Sequence, residues 1–407
     1  MKTKSPWTLS VLVVAACSSS GSENHETPSD AGVAARGDAG LDASGGGLDD
    51  AGCATGTYDG GVPPGPWSAG DYPPGITAQT WLPISGVQGQ QGLTRQYKVH
   101  VPPGYTARAA APIVFCFHGL DQDGVAFCTD SGVGWNTKSD QEGFVLVIPN
   151  GYQQSWNGGS CCGTAASMNL DDVSLVRAIF AEVAQHVSID SKRVYATGYS
   201  TGAYMSYRLA CEASDLVTAV APSAGEIGIP SIGGGTAGLG GGTADAGSDF
   251  PTCAPTQPVS VLDIHGTSDM LIPYSLQPKT LALAAMNDGC SMTTAASPQA
   301  PPSGGDTTCV TYSGCASGIE VSACSIQGGG HCWFGSPDCG TGAAEVLCSG
   351  GTGLGGLLGG GASGLGALAG LLGDGGIDGI VSSIVGNNSN YMKNTDQAWA
   401  FFSRHSR

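Results

Sequence analysis

The stretch Arg193-Val194-Tyr195-Ala196-Thr197, followed by Gly198-Tyr199-Ser200-Thr201-Gly202 and then by Ala203-Tyr204-Met205, decides how the rest of the chain is read. Its first five residues form a short run of the kind buried on both faces of a sheet. From Thr201 to about Ala213 the apolar spacing is helical. Between strand and helix stands Gly-x-Ser-x-Gly. A turn that tight leaves no room for side chains at its two flanks, hence the glycines. It lifts the Ser200 hydroxyl above the sheet and places it at a helix N-terminus, whose amides favour negative charge. In a chain with 67 Gly the bare pattern would mean little. Placed between strand and helix, it predicts a nucleophilic serine.

Outward from this turn, residues 112–117, 144–148, 217–221 and 259–264 read as further buried strands, and 95–101 alternates as an edge strand does. Helical patterns cover 171–187, 201–213 and 394–405. In the first of these, Val173, Val176, Ile179, Phe180 and Val183 share one face. Asp171 and Asp172 read as its N-terminal cap and one structural hydrogen bond. Strands alternating with helices predict an α/β fold, a mostly parallel sheet with helices on both faces. The whole of 67–407 is expected to be a single catalytic domain.

Serine is a weak nucleophile until a base, held by an acid, takes its proton. With this elbow the acid and then the base follow the serine in chain order. Of seven His, only His265, His331 and His405 follow Ser200. His331 comes after Gly328-Gly329-Gly330, backbone able to carry an imidazole over a nucleophile, and is the expected base. Asp269 lies just past the strand that ends at His265 and is the expected acid; Asp263, within the strand, should point into packing. A tetrahedral intermediate needs two amides on its oxyanion. These are assigned to Thr201 and, in the loop after the early strand, Leu120, with Gly119 as the alternative. His118 is expected to brace that loop.

The chain carries only 15 Lys and Arg and a net charge of −18, so a phosphate backbone finds no basic patch and nucleic-acid binding is disfavoured. Residues 1–17 read as an export signal: Lys2 and Lys4, a short apolar stretch, then Val14-Ala15-Ala16-Cys17. That ending resembles a bacterial lipobox, which implies lipidation at Cys17 and makes an anchor the expected link to a membrane. Residues 18–66 carry almost no large apolar side chains and read as a disordered Gly/Ser/Asp-rich tether. Without Cys17, 14 of the 15 Cys remain, an even number that argues for disulfides in an oxidising compartment. Cys116 is the exception, a candidate buried free thiol. No Cys-x2-Cys pair recurs at zinc spacing, so no metal is expected. Gly-rich inserts stand at about 228–249 and 349–386. The second carries leucines at helical spacing and reads as a surface loop, with an amphipathic helix as the alternative.

Taken together these residues resemble the secreted α/β-hydrolases known as feruloyl esterases and polyhydroxybutyrate depolymerases. The resemblance covers about 90–340 and 390–405. It runs through Arg95-Gln96-Tyr97, His118-Gly119, Gly143-Phe144-Val145, Pro149-Asn150-Gly151, Trp156-Asn157, Cys161-Cys162, Asp171-Asp172-Val173 and the serine turn. It continues through Leu209-Ala210-Cys211, Ala221-Pro222, the stretch from His265 to Asp269, Tyr312-Ser313-Gly314-Cys315, Gly329-Gly330-His331 and Trp399-Ala400-Phe401-Phe402. It implies an α/β-hydrolase fold, a Ser200–Asp269–His331 triad and disulfides Cys211–Cys253 and Cys290–Cys315.

By the same resemblance the chain is expected to be a serine esterase needing no cofactor. Its substrate is an ester-bearing polymer or small ester: feruloyl or acetyl esters of plant cell-wall polysaccharide first, polyhydroxybutyrate or another polyester as the alternative. It is expected to be secreted or held as a lipoprotein of the bacterial cell envelope. An inactive surface-binding lipoprotein on the same scaffold would lack a triad member, and none is missing. The family's Gly-His-x-Trp-Pro-Gly reads His331-Cys332-Trp333-Phe334-Gly335 here, which leaves the substrate pocket open. Trp156 and Trp333 are equally suited to flank a planar acyl ring and to be packing.

Overall fold

The apolar runs become strands because each can be covered on both faces. In chain order the strands are Leu82–Ile84 (β1), Arg95–His100 (β2), Ala111–Phe117 (β3), Val145–Asn150 (β4), Ile189–Tyr199 (β5), Ala219–Ser223 (β6), Ser260–Gly266 (β7), Thr294–Ala296 (β8), Thr307–Tyr312 (β9) and Val321–Ile326 (β10). The computed structural model describes residues 81–159, 161–227, 253–269, 271–297, 305–316, 318–336, 339, 388–389 and 391–407. The signal with Cys17, the tether at 18–66 and the inserts at 228–249 and 349–386 lie outside them.

Among the described residues the strands join in one sheet of order β1-β2-β4-β3-β5-β6-β7-β10-β9-β8. From β4 to β10 neighbours run parallel; β1, β2, β9 and β8 add antiparallel flanks. This is the α/β-hydrolase architecture expected from the sequence. One detail differs: the strand at 95–101 is not the edge, because β1 pairs along its outer side, Leu82 opposite Tyr97. Three residues suffice there, and no apolar run announces them.

The helices are Gly124–Cys128 (α1), Trp135–Glu142 (α2), Gly163–Ser167 (α3), Asp172–His186 (α4), Thr201–Glu212 (α5), Gln277–Asn287 (α6) and Asn394–Phe402 (α7). Alternation along β3 divides the core between the two faces. Ile113, Phe115 and Phe117 pack with Val176, Ile179 and Val183 of α4 and Met205 and Leu209 of α5. Val114 and Cys116 pack with Trp135 and with Trp399, Phe401 and Phe402 of α7.

Two polar devices set the carboxyl ends of the strands. Asp171 caps α4, its Oδ1 accepting from Ser174 N–H at 2.8 Å. Asp172 next to it is fully buried; its Oδ1 takes Arg95 Nη1 at 2.7 Å and its Oδ2 takes the amide of Asn157 at 2.8 Å. Arg95 also donates to the Asn150 carbonyl. This buried ion pair ties β2, the end of β4 and the loop carrying Trp156 to α4. Burying two charges costs several kcal/mol each unless they are paired and fully bonded, as here.

The cysteines pair as Cys116–Cys128, Cys161–Cys162, Cys211–Cys253, Cys290–Cys315, Cys309–Cys324 and Cys332–Cys339. Cys116 is therefore not a free thiol. It is buried in β3, but its side chain reaches Cys128 at the end of α1, a partner the strand's own sequence does not reveal.

Candidate active site

The site is built on loops leaving the carboxyl ends of β3, β5, β7 and β10, where parallel α/β sheets place their chemistry. Ser200 leaves β5 with φ 53° and ψ −116° and caps α5. A non-glycine residue held there is strained and persists only where its surroundings over-determine it. They do so here. A Cβ on Gly198 would lie 2.4 Å from the Gly202 carbonyl oxygen, and one on Gly202 would lie 2.2 Å from that of Phe117. Strand β3, the turn and α5 are in backbone contact at both glycines. The Ser200 amide is bonded to the Ser223 carbonyl at 3.0 Å, which ties the turn to the end of β6.

Asp269 follows β7 after a two-residue turn. Its Oδ1 accepts the amides of Leu271 and Ile272, each at 2.9 Å. Its Oδ2 accepts Nδ1–H of His331 at 2.8 Å. Burial works against the charge of Asp269. The nearby His331 and the hydrogen bonds from His265 and His331 outweigh it and hold the carboxyl below the usual carboxylate range. With Nδ1 committed to a carboxylate, the imidazole keeps its Nε2 for chemistry. The loop of His331 reaches Asp269 because β7 and the glycine triplet touch: a Cβ on Gly266 would lie 2.3 Å from the Gly329 carbonyl oxygen.

His265 is a participant the sequence does not single out. Its Nε2 donates to the Ile272 carbonyl at 2.9 Å and lies 3.2 Å from Asp269 Oδ2. It is fully buried, and among the described residues its Nδ1 has no partner. Burial lowers its pKa, but Asp269 and Asp263 more than offset this and the net shift is upward. Asp263 does face packing, bonded by Tyr207 and Gln277.

After β3 the loop 118–121 is held group by group. His118 donates Nδ1–H to the Gly119 carbonyl at 2.6 Å and accepts the Gly151 amide on Nε2 at 2.9 Å. Acceptance on Nε2 requires the neutral ring, and burial lowers its pKa to about 4. The Gly119 amide is taken by Gln122 Oε1 at 2.7 Å and the Asp121 amide by the Gln154 carbonyl at 2.9 Å. Among the described residues, that leaves the amide of Leu120, between them, as the loop's uncommitted donor. Thr201, first residue of α5, has no intrahelical acceptor for its own amide.

Both tryptophans are buried. Trp156 is fully buried, donates Nε1–H to the His118 carbonyl at 3.0 Å and meets Phe117 edge-on at 5.2 Å. Trp333 is 4% exposed, bonded to Thr395 and edge-on to Phe127. Aromatic partners distant in sequence close over both rings. Beside Ser200 a small separate apolar group gathers Cys161, Cys162, Tyr204 and Ile272. Tyr204 donates to Glu226 at 3.1 Å, a carboxyl whose pKa burial raises.

Residues 95–229 match the family model described as Esterase PHB depolymerase. The chain is 29% identical to feruloyl esterase B of Piromyces equi over 58% of its own length and 42% of that protein's. It is 30% identical to the probable feruloyl esterase C of Aspergillus oryzae over 49% of its length and 64% of that protein's. It therefore spans less than two thirds of either relative. Among solved structures, the acetyl xylan esterase from Aspergillus awamori aligns with a TM-score of 0.43 at 16% identity, over 62% of this chain and 93% of that one.

Proposed function

We propose that this chain, whose residues 95–229 match the family model described as Esterase PHB depolymerase, is a serine esterase. The observation that carries the proposal is the Asp269–His331 hydrogen bond at 2.8 Å on loops adjoining a serine turn of positive φ. Ser200 Oγ attacks the ester carbonyl carbon while His331 Nε2 takes its proton. The oxyanion is held by the Thr201 and Leu120 amides, and collapse expels the alcohol, protonated by His331. Water, deprotonated by His331, then attacks the acyl-enzyme and releases the acid and Ser200. Asp269 fixes the imidazole tautomer and stabilises the imidazolium.

The substrates are feruloyl or acetyl esters of cell-wall polysaccharide, a choice supported by the relatives' names. The family description favours polyesters such as polyhydroxybutyrate as the second reading. The enzyme works outside the cell, free or anchored through a lipid on Cys17. Six cysteine pairs among the described residues support an oxidising compartment. Hydrolysis of p-nitrophenyl acetate, abolished in a folded Ser200→Ala, tests the chemistry. Rates on methyl ferulate, acetylated xylan and polyhydroxybutyrate film, side by side, choose the substrate.

A further inference from the structure

His331 follows Gly328, Gly329 and Gly330, and such a run leaves a backbone more freedom than any other composition. A general base must nevertheless stay within hydrogen-bond reach of its nucleophile through both halves of the reaction. The Asp269 carboxylate holds the imidazole at one nitrogen. It does not hold the main chain that carries the ring.

Tyr199 does. Its phenol donates to the carbonyl oxygen of His331 at 3.0 Å. Its ring lies 4.9 Å from the imidazole, centroid to centroid, with the planes inclined by 41°. Its other neighbours belong to the oxyanion side. The ring stacks on Phe127 at 5.8 Å, and a Cβ on Gly119 would lie 3.1 Å from Tyr199 Cδ1. Tyr199 is also covalently next to Ser200. One half-buried side chain thus meets the loop of the base and the loop of the oxyanion donors while riding on the turn of the nucleophile.

We infer that Tyr199 is a positioning residue that locks the His331 loop against the serine turn and the Gly119 loop, so that base and nucleophile keep register. This rests on the triad reading above. It assigns the phenol a task that a tyrosine merely filling space would not have.

Tyr199→Phe keeps the ring and removes the hydrogen bond to His331. A misplaced catalytic group costs up to about a hundredfold in rate, so kcat on p-nitrophenyl acetate is expected to fall about 10-fold or more with KM within about twofold. Labelling by a fluorophosphonate, which needs an activated serine, should slow by the same factor yet still reach the parent's end point. Tyr199→Leu, which also removes the ring contact, should slow both further at an equal end point. A Tyr199→Phe enzyme with parent-like kcat and labelling rate overturns the inference. So does an end point that falls in step with the rate, since that marks misfolded protein. Ser200→Ala run alongside separates the two levels. If it keeps the parent's rate, the esterase reading itself fails. If it is inactive while Tyr199→Phe is unimpaired, only the role of the phenol fails.

Discussion

Asp269 and His331, 62 residues apart in the chain, meet through a 2.8 Å hydrogen bond from Nδ1–H to Oδ2. The other carboxylate oxygen is filled by the Leu271 and Ile272 amides, so the group cannot rotate without losing two bonds. Asp269→Asn keeps the size and can keep the amide contacts, but it presents Nδ1 with a partner that no longer enforces the tautomer. A fall in kcat of about 10²–10⁴ is expected with little change in KM. The folded carboxyl is shifted down, so its stabilisation is complete above the unfolded value near 3.8 and is lost as pH falls below it. Chemical denaturation at pH 3 and pH 7 should show a smaller difference in Asp269→Asn than in the parent.

His118 titrates in the opposite sense from most surface histidines. Burial lowers its pKa from 6.5 to about 4, so between those values the unfolded chain binds a proton that the folded chain does not. Stability therefore rises with pH from about 4 to 6.5 and gains nothing above that from this group. The shift corresponds to roughly 3 kcal/mol across the window. In His118→Gln this rise should disappear from the pH dependence of unfolding. Activity should fall as well, since the Gly119 carbonyl and the Gly151 amide lose their shared partner and the Leu120 amide moves.

Asp288, at the end of α6, works against that trend. It is 3% exposed, and burial raises its pKa from 3.8 to about 7, the one opposing contact being the Val259 amide at 3.0 Å. Between 3.8 and about 7 the folded state holds a proton that the unfolded state has released, so stability falls as pH rises through that range. Asp288→Asn can still accept from Val259 and has nothing to ionise. It should match the parent near pH 4 and exceed it at pH 8 by on the order of 2–4 kcal/mol. An Asn variant no more stable than the parent at pH 8 would contradict this assignment.

The parallel centre of the sheet is legible in the sequence because its signal is local: Ala111–Phe117, Val145–Asn150 and Ser260–Gly266 are buried end to end and mostly apolar, with Asp263 and His265 among the polar exceptions in the last. The serine turn is legible for the same reason, its two glycines standing next to the residue they expose. The outer strands are not. Thr294–Ala296 is exposed throughout and Thr307–Tyr312 is mostly half-buried; they are strands because the next strand offers its edge, a condition set elsewhere in the chain. Trp156 stands among Ser, Asn and Gly and looks like rim, but Phe117 and His118 come from far upstream to enclose it. His265 is invisible as a partner of Asp269 until the turn between them folds back. Chain order can rank Asp269 and His331 as acid and base, but it cannot show which other side chains crowd the same carboxylate.

Gly266 is the hinge on which that convergence turns. It ends β7, pairs with Ile326 of β10 and lies where the backbone of the His331 loop crosses. A Cβ there would come within 2.3 Å of the Gly329 oxygen, 2.4 Å of its carbonyl carbon and 2.5 Å of the Gly330 oxygen. All three are main-chain atoms, which no rotamer change can clear, so Gly266→Ala must push the glycine loop away from β7. The displaced loop carries His331 off Asp269, and overpacking of this kind typically costs about 1–3 kcal/mol in stability. A displacement of about 1 Å at the reacting groups typically costs about a hundredfold in rate, so activity should suffer far more than folding. The check is kcat and the unfolding midpoint measured together. A hundredfold slower enzyme that still unfolds cooperatively within a few degrees of the parent is the expected result, and parent-like kcat would show that the contact does not position the base.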